Sequence, residues 1–315
     1  MNSTGPERRG ERALIRRLSA FLGAPGASGP SFIPFGDDMC LLEGGPEPLL
    51  WTVDMLMDGV DFDSRQHTWH AIGRKAMAVN LSDCAAMAAA PLAALCAVAL
   101  SNALSMEQAE ELIRGAHECG ERFGCPIVGG DTNSWDAATV ISISIAARCE
   151  PGCRPVRRDG ARPGDRVWLT GRVGGSPLGR HMTFEPRVET ALALNRRLAP
   201  HAMIDISDGL ALDLARILEA SGCGAILDAT ELTSAIHPDA ERVAAQDGRP
   251  ARDHALHDGE DFELIVVLPA DAAAVECDAL GLLPIGRITP DAGLWLEDAG
   301  GQRTSIRPQG WEHFR

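Results

Sequence analysis

The chain has 315 residues, of which 45% are hydrophobic, and a formal net charge of −15. This length predicts two domains, and the apolar content is that of a folded chain with a sizeable core. The negative charge argues against nucleic acid or an anionic membrane as the main partner. Uncharged apolar runs stay below the ~18 residues of a transmembrane helix. The nine scattered cysteines indicate reduced thiols, so we expect a cytoplasmic protein.

Helices dominate the predicted elements of the N-terminal half. The best-defined one begins at Ser105, which forms a capping-box pattern with Gln108 before an apolar stripe. The run Thr-Val-Ile-Ser-Ile-Ser-Ile-Ala alternates like a half-buried strand. The predicted elements are helices at 8–22, at 67–90 with a possible break near 80–82, and at 105–123, and a strand at 139–146.

The C-terminal half mixes strands and helices as well. A stretch rich in Pro, Gly and Arg at 150–165 is the best linker candidate, so we place the domain boundary there, with domains at 1–150 and 151–315. The order of elements indicates an α/β or α+β fold. The predicted elements are strands at 167–170 and 262–268, a glycine-rich turn at 171–175 and a helix at 208–221.

The acidic residues are the most informative feature of the sequence, because they recur at the ends of apolar segments beside Gly, Ser or Asn. Buried carboxylates need counter-charge, and few basic residues lie near them in the sequence. Mg²⁺ prefers carboxylate oxygens and is usually shared with substrate phosphates. The pattern therefore indicates a magnesium-bridged phosphate site. The carboxylates that follow this pattern are Asp37, Asp38, Asp54, Asp58, Asp61, Asp63, Asp83, Asp131, Asp205, Asp208, Asp258, Glu260 and Asp261, of which Asp58 and Asp63 are interpreted as surface charges.

Structural roles for the same residues stay open at this point. Aspartate often caps helices, and for Asp205 and Asp208 a capping role is about as probable as a site. Taken alone, residues 129–131 favour a tight turn over a site. The chain lacks the P-loop pattern, the kinase glycine-rich loop and the H-E-x-x-H zinc pattern, so any nucleotide site belongs to another class.

Eight short segments of the chain, taken together and in their order along the sequence, resemble the thiamine-monophosphate kinase family. Its superfamily includes aminoimidazole ribonucleotide synthetase, selenophosphate synthetase and a hydrogenase maturation enzyme. The resemblance covers nearly the whole chain, and each segment is weak alone. The segments are FGDDMCLLE from Phe35, TVDMLMDGVDF from Thr52, RKAMAVNLSDCAAMAAAP from Arg74, VGGDTNS from Val128, RRDGARPGD from Arg157, DISDGLALDL from Asp205, DGEDFELIV from Asp258 and GWEHF from Gly310.

The resemblance implies a fold and a reaction. An N-terminal α/β domain would dimerise through its sheet into a barrel between two subunits, and a C-terminal α/β domain would pack against it. ATP would donate its γ-phosphoryl group directly to thiamine phosphate, aided by several Mg²⁺ ions and without a phosphoenzyme or an assigned acid or base. The partners would be these two substrates and a second copy of the chain, with no nucleic acid and no membrane.

The resemblance also implies roles for individual residues. Lys75 matches a family lysine, for which we expect a structural or electrostatic role. The implied magnesium ligands are Asp38, Thr52, Asp54, Asp83, Asp131, Asp205 and Asp208. The implied ATP contacts are Gly130, Asp131, Arg158 and Ser207, and the implied substrate contacts are Asp61, Glu260 and Trp311.

Three positions depart from the family pattern. Asp61 replaces a histidine that contacts substrate in the family, Val53 replaces a threonine, and Asp258 replaces a glycine. At position 61, aspartate in place of histidine exchanges a hydrogen-bond donor for an anion that can only accept. Two alternatives therefore stay beside the kinase hypothesis: an ATP-using enzyme of the same fold with another acceptor, and a non-catalytic protein that binds thiamine phosphates or nucleotide.

Overall fold

The computed structural model describes residues 39–42 and 48–311. They form a mixed α/β structure with two β-sheets, which confirms the predicted fold class. The predicted helix at 8–22 and the candidate ligands Asp37 and Asp38 lie outside the described residues.

The first sheet has five strands in the order β1-β2-β5-β3-β4. The β3–β4 pair is parallel, and the other pairs are antiparallel. Helix α1 packs on one face of this sheet, and α2 packs against α1. The elements are β1 Cys40–Leu42, β2 Leu49–Met57, α1 Trp69–Ala86, β3 Ala90–Ser101, α2 Met106–Arg122, β4 Ile127–Trp135 and β5 Val140–Arg148.

The second sheet has seven strands in the order β12-β11-β8-β10-β6-β9-β7. The β8–β11 pair is parallel, and the other pairs are antiparallel. Its strands are β6 Arg166–Leu169, β7 Ala202–Asp205, β8 Gly224–Asp228, β9 Leu264–Leu268, β10 Leu283–Thr289, β11 Gly293–Glu297 and β12 Arg303–Ser305. Its helices are α3 Val188–Leu198, α4 Leu210–Ser221, α5 Ala229–Ser234, α6 Pro238–Asp247, α7 Ala251–His257 and α8 Ala274–Ala279.

Helix α1 joins the two halves of the molecule. Most of its side chains are buried on all sides, which is typical of a helix inside a core. Ile72 and Leu81 of α1 share one hydrophobic cluster with Met203 and Leu264 of the second sheet. Arg74 adds polar contacts, because its guanidinium donates to main-chain carbonyls at residues 182–184. The position of α1 therefore fixes how the two sheets meet.

Local sequence signals explain some elements and not others. The capping box of Ser105 and Gln108 is present, and the predicted helix and the alternating strand that follows are confirmed as α2 and β5. The helix predicted at 67–90 is present as α1, and the interruption left open near residues 80–82 does not occur, because α1 continues unbroken to Ala86. The tight turn expected at residues 129–131 is also wrong, because these residues belong to β4 beside β3.

In the part of the chain that the structure describes, the helices fall short of the length and hydrophobicity needed to cross a membrane.

Helices α1 and α2 approach each other through two glycines. A methyl carbon placed on Gly73 would lie 1.8 Å from the carbonyl oxygen of Leu112, and one on Gly115 would lie 1.9 Å from that of His70. Since both obstacles are backbone atoms, neither contact can relax by a side-chain rotation. The packing of α1 therefore depends on these two glycines.

We expect Gly115→Ala to lower the free energy of unfolding by about 2 kcal/mol, because overpacking here outweighs the better helix propensity of alanine. Urea titration of the purified variant measures this. Gly300→Ala is the control, since its nearest obstacle is the side chain of Asp298 at 3.3 Å; its effect should stay within about 0.5 kcal/mol. Equal stability of the two variants would contradict the close packing of α1 and α2.

Candidate active site

Two predicted magnesium ligands lie on the face of β2 that α1 covers. Thr52 is buried, and its hydroxyl donates a hydrogen bond to the carboxylate of Asp83 on α1. One inward position further along β2, the backbone N–H of Asp54 donates to Asn80 Oδ1 at 2.9 Å. The strand and the helix are thus joined by polar groups where a core normally has apolar ones.

The same stretch of α1 also reaches the second sheet. Ser82 Oγ donates to Asp205 Oδ2 at 2.6 Å, and both residues are buried. Asn80 Nδ2 donates to the carbonyl oxygen of Ala76 one turn earlier, so the helix satisfies this amide locally. We call this group the acidic junction. Its members are Thr52, Asp54, Ser82, Asp83 and Asp205.

The turn after β7 is held by a carboxylate that the sequence analysis missed. Asp213 on α4 accepts the backbone N–H groups of Asp208 and Gly209, each at 3.0 Å. Arg216 binds the carboxylates of both Asp208 and Asp213. Burial raises the pKa of Asp213 to about 7, and the charge of Arg216 opposes that rise. The N-cap of α4 is Gly209, so neither predicted aspartate caps this helix by its side chain.

Asp131 lies on the other face of the first sheet. Register pairs Gly130 with Cys96, which is buried toward the helices, and pairs Asp131 with Ala97 on the open face. A methyl carbon on Gly130 would lie 1.9 Å from the carbonyl oxygen of Cys96, so the close approach of β4 requires glycine. Within one chain, Asp131 and the acidic junction therefore face opposite sides of the sheet.

The predicted ATP contacts in the second half lie around α4. Arg158 starts a short 3₁₀ turn, Arg158–Gly160, whose carbonyl at Arg158 accepts from Ser221 Oγ at 2.9 Å. The positive charge of Arg158 opposes the rise in the pKa of Arg216 that the carboxylates of Asp213 and Asp208 cause. The carbonyl oxygen of Ser207 accepts the N–H of Glu260 at 2.7 Å. This bond brings the predicted nucleotide and substrate residues together.

Two predicted substrate residues meet at Lys75, which is 1% exposed. Its Nζ donates to the carbonyl oxygen of Asp61 at 2.6 Å and to the carboxylate of Glu260. The side chain of Asp61 turns back within its own loop, where Oδ2 accepts the N–H of Met57 at 2.7 Å. The expected electrostatic role of Lys75 is consistent with these contacts.

Trp311, the third predicted substrate residue, lies beside the turn that follows β7. Its backbone N–H donates to the carbonyl oxygen of Asp208 at 3.0 Å, and its side chain is 53% exposed. A methyl carbon on Gly310 would lie 2.3 Å from that same carbonyl. The glycine thus lets the C-terminal segment approach the turn closely and present an indole to solvent.

The loop that carries Glu260 is anchored by its neighbours. The carboxylate of Asp261 accepts the N–H of Gly174 and binds Arg180, and Asp258 accepts the N–H of Gly175 at 3.1 Å. Burial raises the pKa of Asp261 to about 7, while Arg180 opposes the rise. The glycine-rich turn is visible in the sequence, but its anchoring by Asp258 and Asp261 is not, because these partners are 83 and 87 positions away.

The donor set of the acidic junction fits magnesium by its chemistry. Its side-chain atoms are hydroxyl and carboxylate oxygens, and Mg²⁺ often uses one or two carboxylates together with water and substrate phosphates. Among residues 39–42 and 48–311, no three His, Cys, Asp or Glu side chains converge as a metal site by themselves. A metal held here would therefore depend on oxygens of a bound phosphate, and Asp38 lies outside the described residues.

The class of protein follows from the first half of the chain. Residues 36–149 match the family model described as AIR synthase related protein, N-terminal domain. This span includes the first sheet with α1 and α2, and so most of the acidic junction.

Comparison over the full chain is more specific. A thiamine-monophosphate kinase of Rhodopirellula baltica is 40% identical over 292 residues, which cover 89% of this chain and 91% of the relative. That of Aquifex aeolicus is 30% identical and covers 89% and 92%. A solved structure described as AaThiL complexed with AMPPCP and TMP superposes with a TM-score of 0.83 at 27% identity, covering 97% of both chains. The chain belongs to the thiamine-monophosphate kinase family.

Proposed function

We propose that this protein transfers the γ-phosphoryl group of ATP to thiamine phosphate, giving thiamine diphosphate and ADP. The bond between the γ-phosphorus and the β,γ-bridging oxygen breaks, and a bond to a phosphate oxygen of thiamine phosphate forms. Family membership supports the reaction, as does the structural relative complexed with AMPPCP and TMP. The observation that carries it is the acidic junction, where two consecutive residues of α1, Ser82 and Asp83, bind oxygen-bearing side chains of the two sheets.

Magnesium fits this proposal. Thr52, Asp54, Asp83 and Asp205 of the acidic junction would hold it, with Asp208 close by in the turn after β7. When bound, Mg²⁺ neutralises phosphate charge and aligns the reacting groups. The chain itself supplies positioning, since phosphoryl transfer needs little covalent chemistry from the protein.

The nucleotide and the acceptor would use neighbouring residues. Arg158 and Ser207 near α4 are suited to the polyphosphate, because a guanidinium is a fixed, permanently charged donor. Glu260 and the exposed indole of Trp311 are suited to a cationic thiazolium ring and an aminopyrimidine. The hydrogen bond from the N–H of Glu260 to the carbonyl oxygen of Ser207 supports a site in which the nucleotide and the acceptor lie next to each other.

We also propose two domains, residues 1–150 and 151–315. The first sheet ends with β5 at Arg148, and the second begins with β6 at Arg166. The segment between them has the composition of a linker. The C-terminal domain would complete the nucleotide and substrate site across α1.

A homodimer through the open face of the first sheet completes the proposal. Val53, Met55 and Met57 of β2 and Leu95 of β3 expose between 39% and 61% of their surface on this face. An apolar sheet face of this kind is typical of a protein interface. Asp131 lies on the same face, so dimerisation would bring it next to a second chain.

We expect rapid formation of thiamine diphosphate from thiamine phosphate and ATP when Mg²⁺ is present, and none in excess EDTA. Thiamine without phosphate and water alone serve as control acceptors. Mass spectrometry of the products identifies the phosphorylated species. Phosphate release to water alone would support a different reaction, and binding without turnover would support the non-catalytic alternative.

We expect Asp83→Asn to reduce turnover by about 10²-fold or more, because it removes a negative charge that would hold Mg²⁺. The metal stabilises the transition-state charge by several kcal/mol. The asparagine oxygen still accepts from Thr52, so the free energy of unfolding should be unchanged or higher. Asp136→Asn, at an exposed turn bonded to Asn102, is the matched control. Steady-state kinetics and urea titration measure both effects. Lower stability of Asp83→Asn with normal turnover would make Asp83 structural.

We expect Met55→Asp to convert the dimer to a 33.5 kDa monomer, because a buried unpaired charge opposes the apolar interface. Sedimentation equilibrium measures the mass. Val275→Asp is the control, since Val275 is also highly exposed but lies on α8 in the second half. A monomeric wild-type protein, or a dimer that tolerates Met55→Asp, would reject this interface.

A further inference from the structure

Lys75 stands out in composition as well as position. The chain contains 29 lysine and arginine residues, and Lys75 is the single lysine among them. It is also nearly inaccessible, with 1% of its surface exposed. An ammonium group is a compact point charge with three donors, whereas guanidinium is a planar fork. The single lysine of the chain is therefore placed in the interior, where it supplies a compact donor.

Three acceptors surround the ammonium group, and they come from both halves of the molecule. Nζ donates to the carbonyl oxygen of Asp61 in the loop after β2, at 2.6 Å. It also donates to Glu260 Oε1 and to His181 Nδ1, the latter at 3.1 Å. Each of the three N–H donors of a lysine is thereby used.

The contact with Lys75 defines the state of His181. Burial, together with the charges of Lys75 and His67, lowers the pKa of His181 to about 4, so the ring is neutral at pH 7. Because an ammonium group can only donate, Nδ1 must be the accepting nitrogen and Nε2 carries the proton. Nδ1 also lies 3.3 Å from Glu260 Oε2, but an accepting nitrogen cannot donate to that oxygen. Lys75 is thus the cation that binds Glu260 here.

Glu260 itself is held in an unusual conformation. Its φ of 52° is in the left-handed region, which a residue with a side chain seldom adopts. Its side chain is nevertheless 33% exposed, so the carboxylate is accessible while Lys75 holds one of its oxygens. Non-glycine residues in this region occur often at functional sites, where the surroundings enforce them. The Glu260 carboxylate is thus accessible to a ligand while the ammonium group of Lys75 holds it in position.

We propose that Lys75 is the positioning residue for the acceptor, acting through Glu260. The ammonium group fixes the direction of the Glu260 carboxylate toward a cationic heterocyclic substrate, and Lys75 itself touches no substrate. This inference rests on the proposed function and adds a residue that determines acceptor affinity without affecting ATP affinity.

A double-mutant cycle tests this role, with Lys75→Met, Glu260→Ala and the double variant compared with wild type. We expect Lys75→Met to raise KM for thiamine phosphate by about tenfold, the usual scale for a lost charged hydrogen bond, and KM for ATP by less than about twofold. In the Glu260→Ala background, the same substitution should change KM for thiamine phosphate by less than about twofold, because its target is gone.

Arg74→Met is the matched control. Arg74 is adjacent on α1 and also bonds to the second half, through carbonyls at residues 182–184, but it does not contact Glu260. It should lower Tm and leave both KM values unchanged. If Lys75→Met does not fold, Lys75→Arg keeps the charge with a different donor geometry and should show the same selective increase in KM.

The outcomes separate the two proposals. Absence of wild-type turnover with thiamine phosphate rejects the proposed function. Normal wild-type turnover with an additive cycle, or with equal increases of both KM values, rejects the positioning role alone. A lysine with a merely structural role would weaken the binding of both substrates, whether or not Glu260 is present.

Discussion

The structure depends on the pairing of polar side chains on a helix that lies between two sheets. Most of helix α1 is buried, so the buried Ser82 and the half-buried Asp83 need partners there. Those partners are Asp205 on the second sheet and Thr52 on the first. An unsatisfied group at such a position costs about 1–3 kcal/mol. The same bonds therefore stabilise the contact between the sheets and assemble the acidic junction.

Local patterns predicted the elements whose stability is local. Helix α2 has its own cap and stripe, and β5 has a regular alternation, so both were visible in the sequence. The sequence predicted a helix here and left open an interruption near Asn80, where asparagine and serine can compete with the helix backbone. It does not break, since tertiary partners satisfy these side chains. Residues 129–131 form a strand for a similar reason, because β3 lies beside them.

The candidate site was predictable as a set of residues and not as an arrangement. Carboxylates at the ends of apolar segments identified Asp83 and Asp205, which α1 brings to one junction. The register of β4 against β3 places Asp131 on the opposite face of the sheet from the acidic junction. No local sequence pattern predicts the register of a strand pair. Anchoring residues such as Asp261 were missed because their partners are distant in sequence; Gly174 is 87 positions away.

One rigid element sets the distance between the two sides of the proposed reaction. Lys75, which contacts Glu260, and Asp83 of the acidic junction are both on α1, eight residues apart. At a rise of 1.5 Å per residue, their backbones are separated by about 12 Å along the helix. Transfer between bound substrates requires reacting atoms to approach within about 3–3.5 Å. A continuous helix keeps that spacing constant, whereas an interruption near Asn80 would not. The unbroken course of α1 is therefore itself a condition for positioning both substrates.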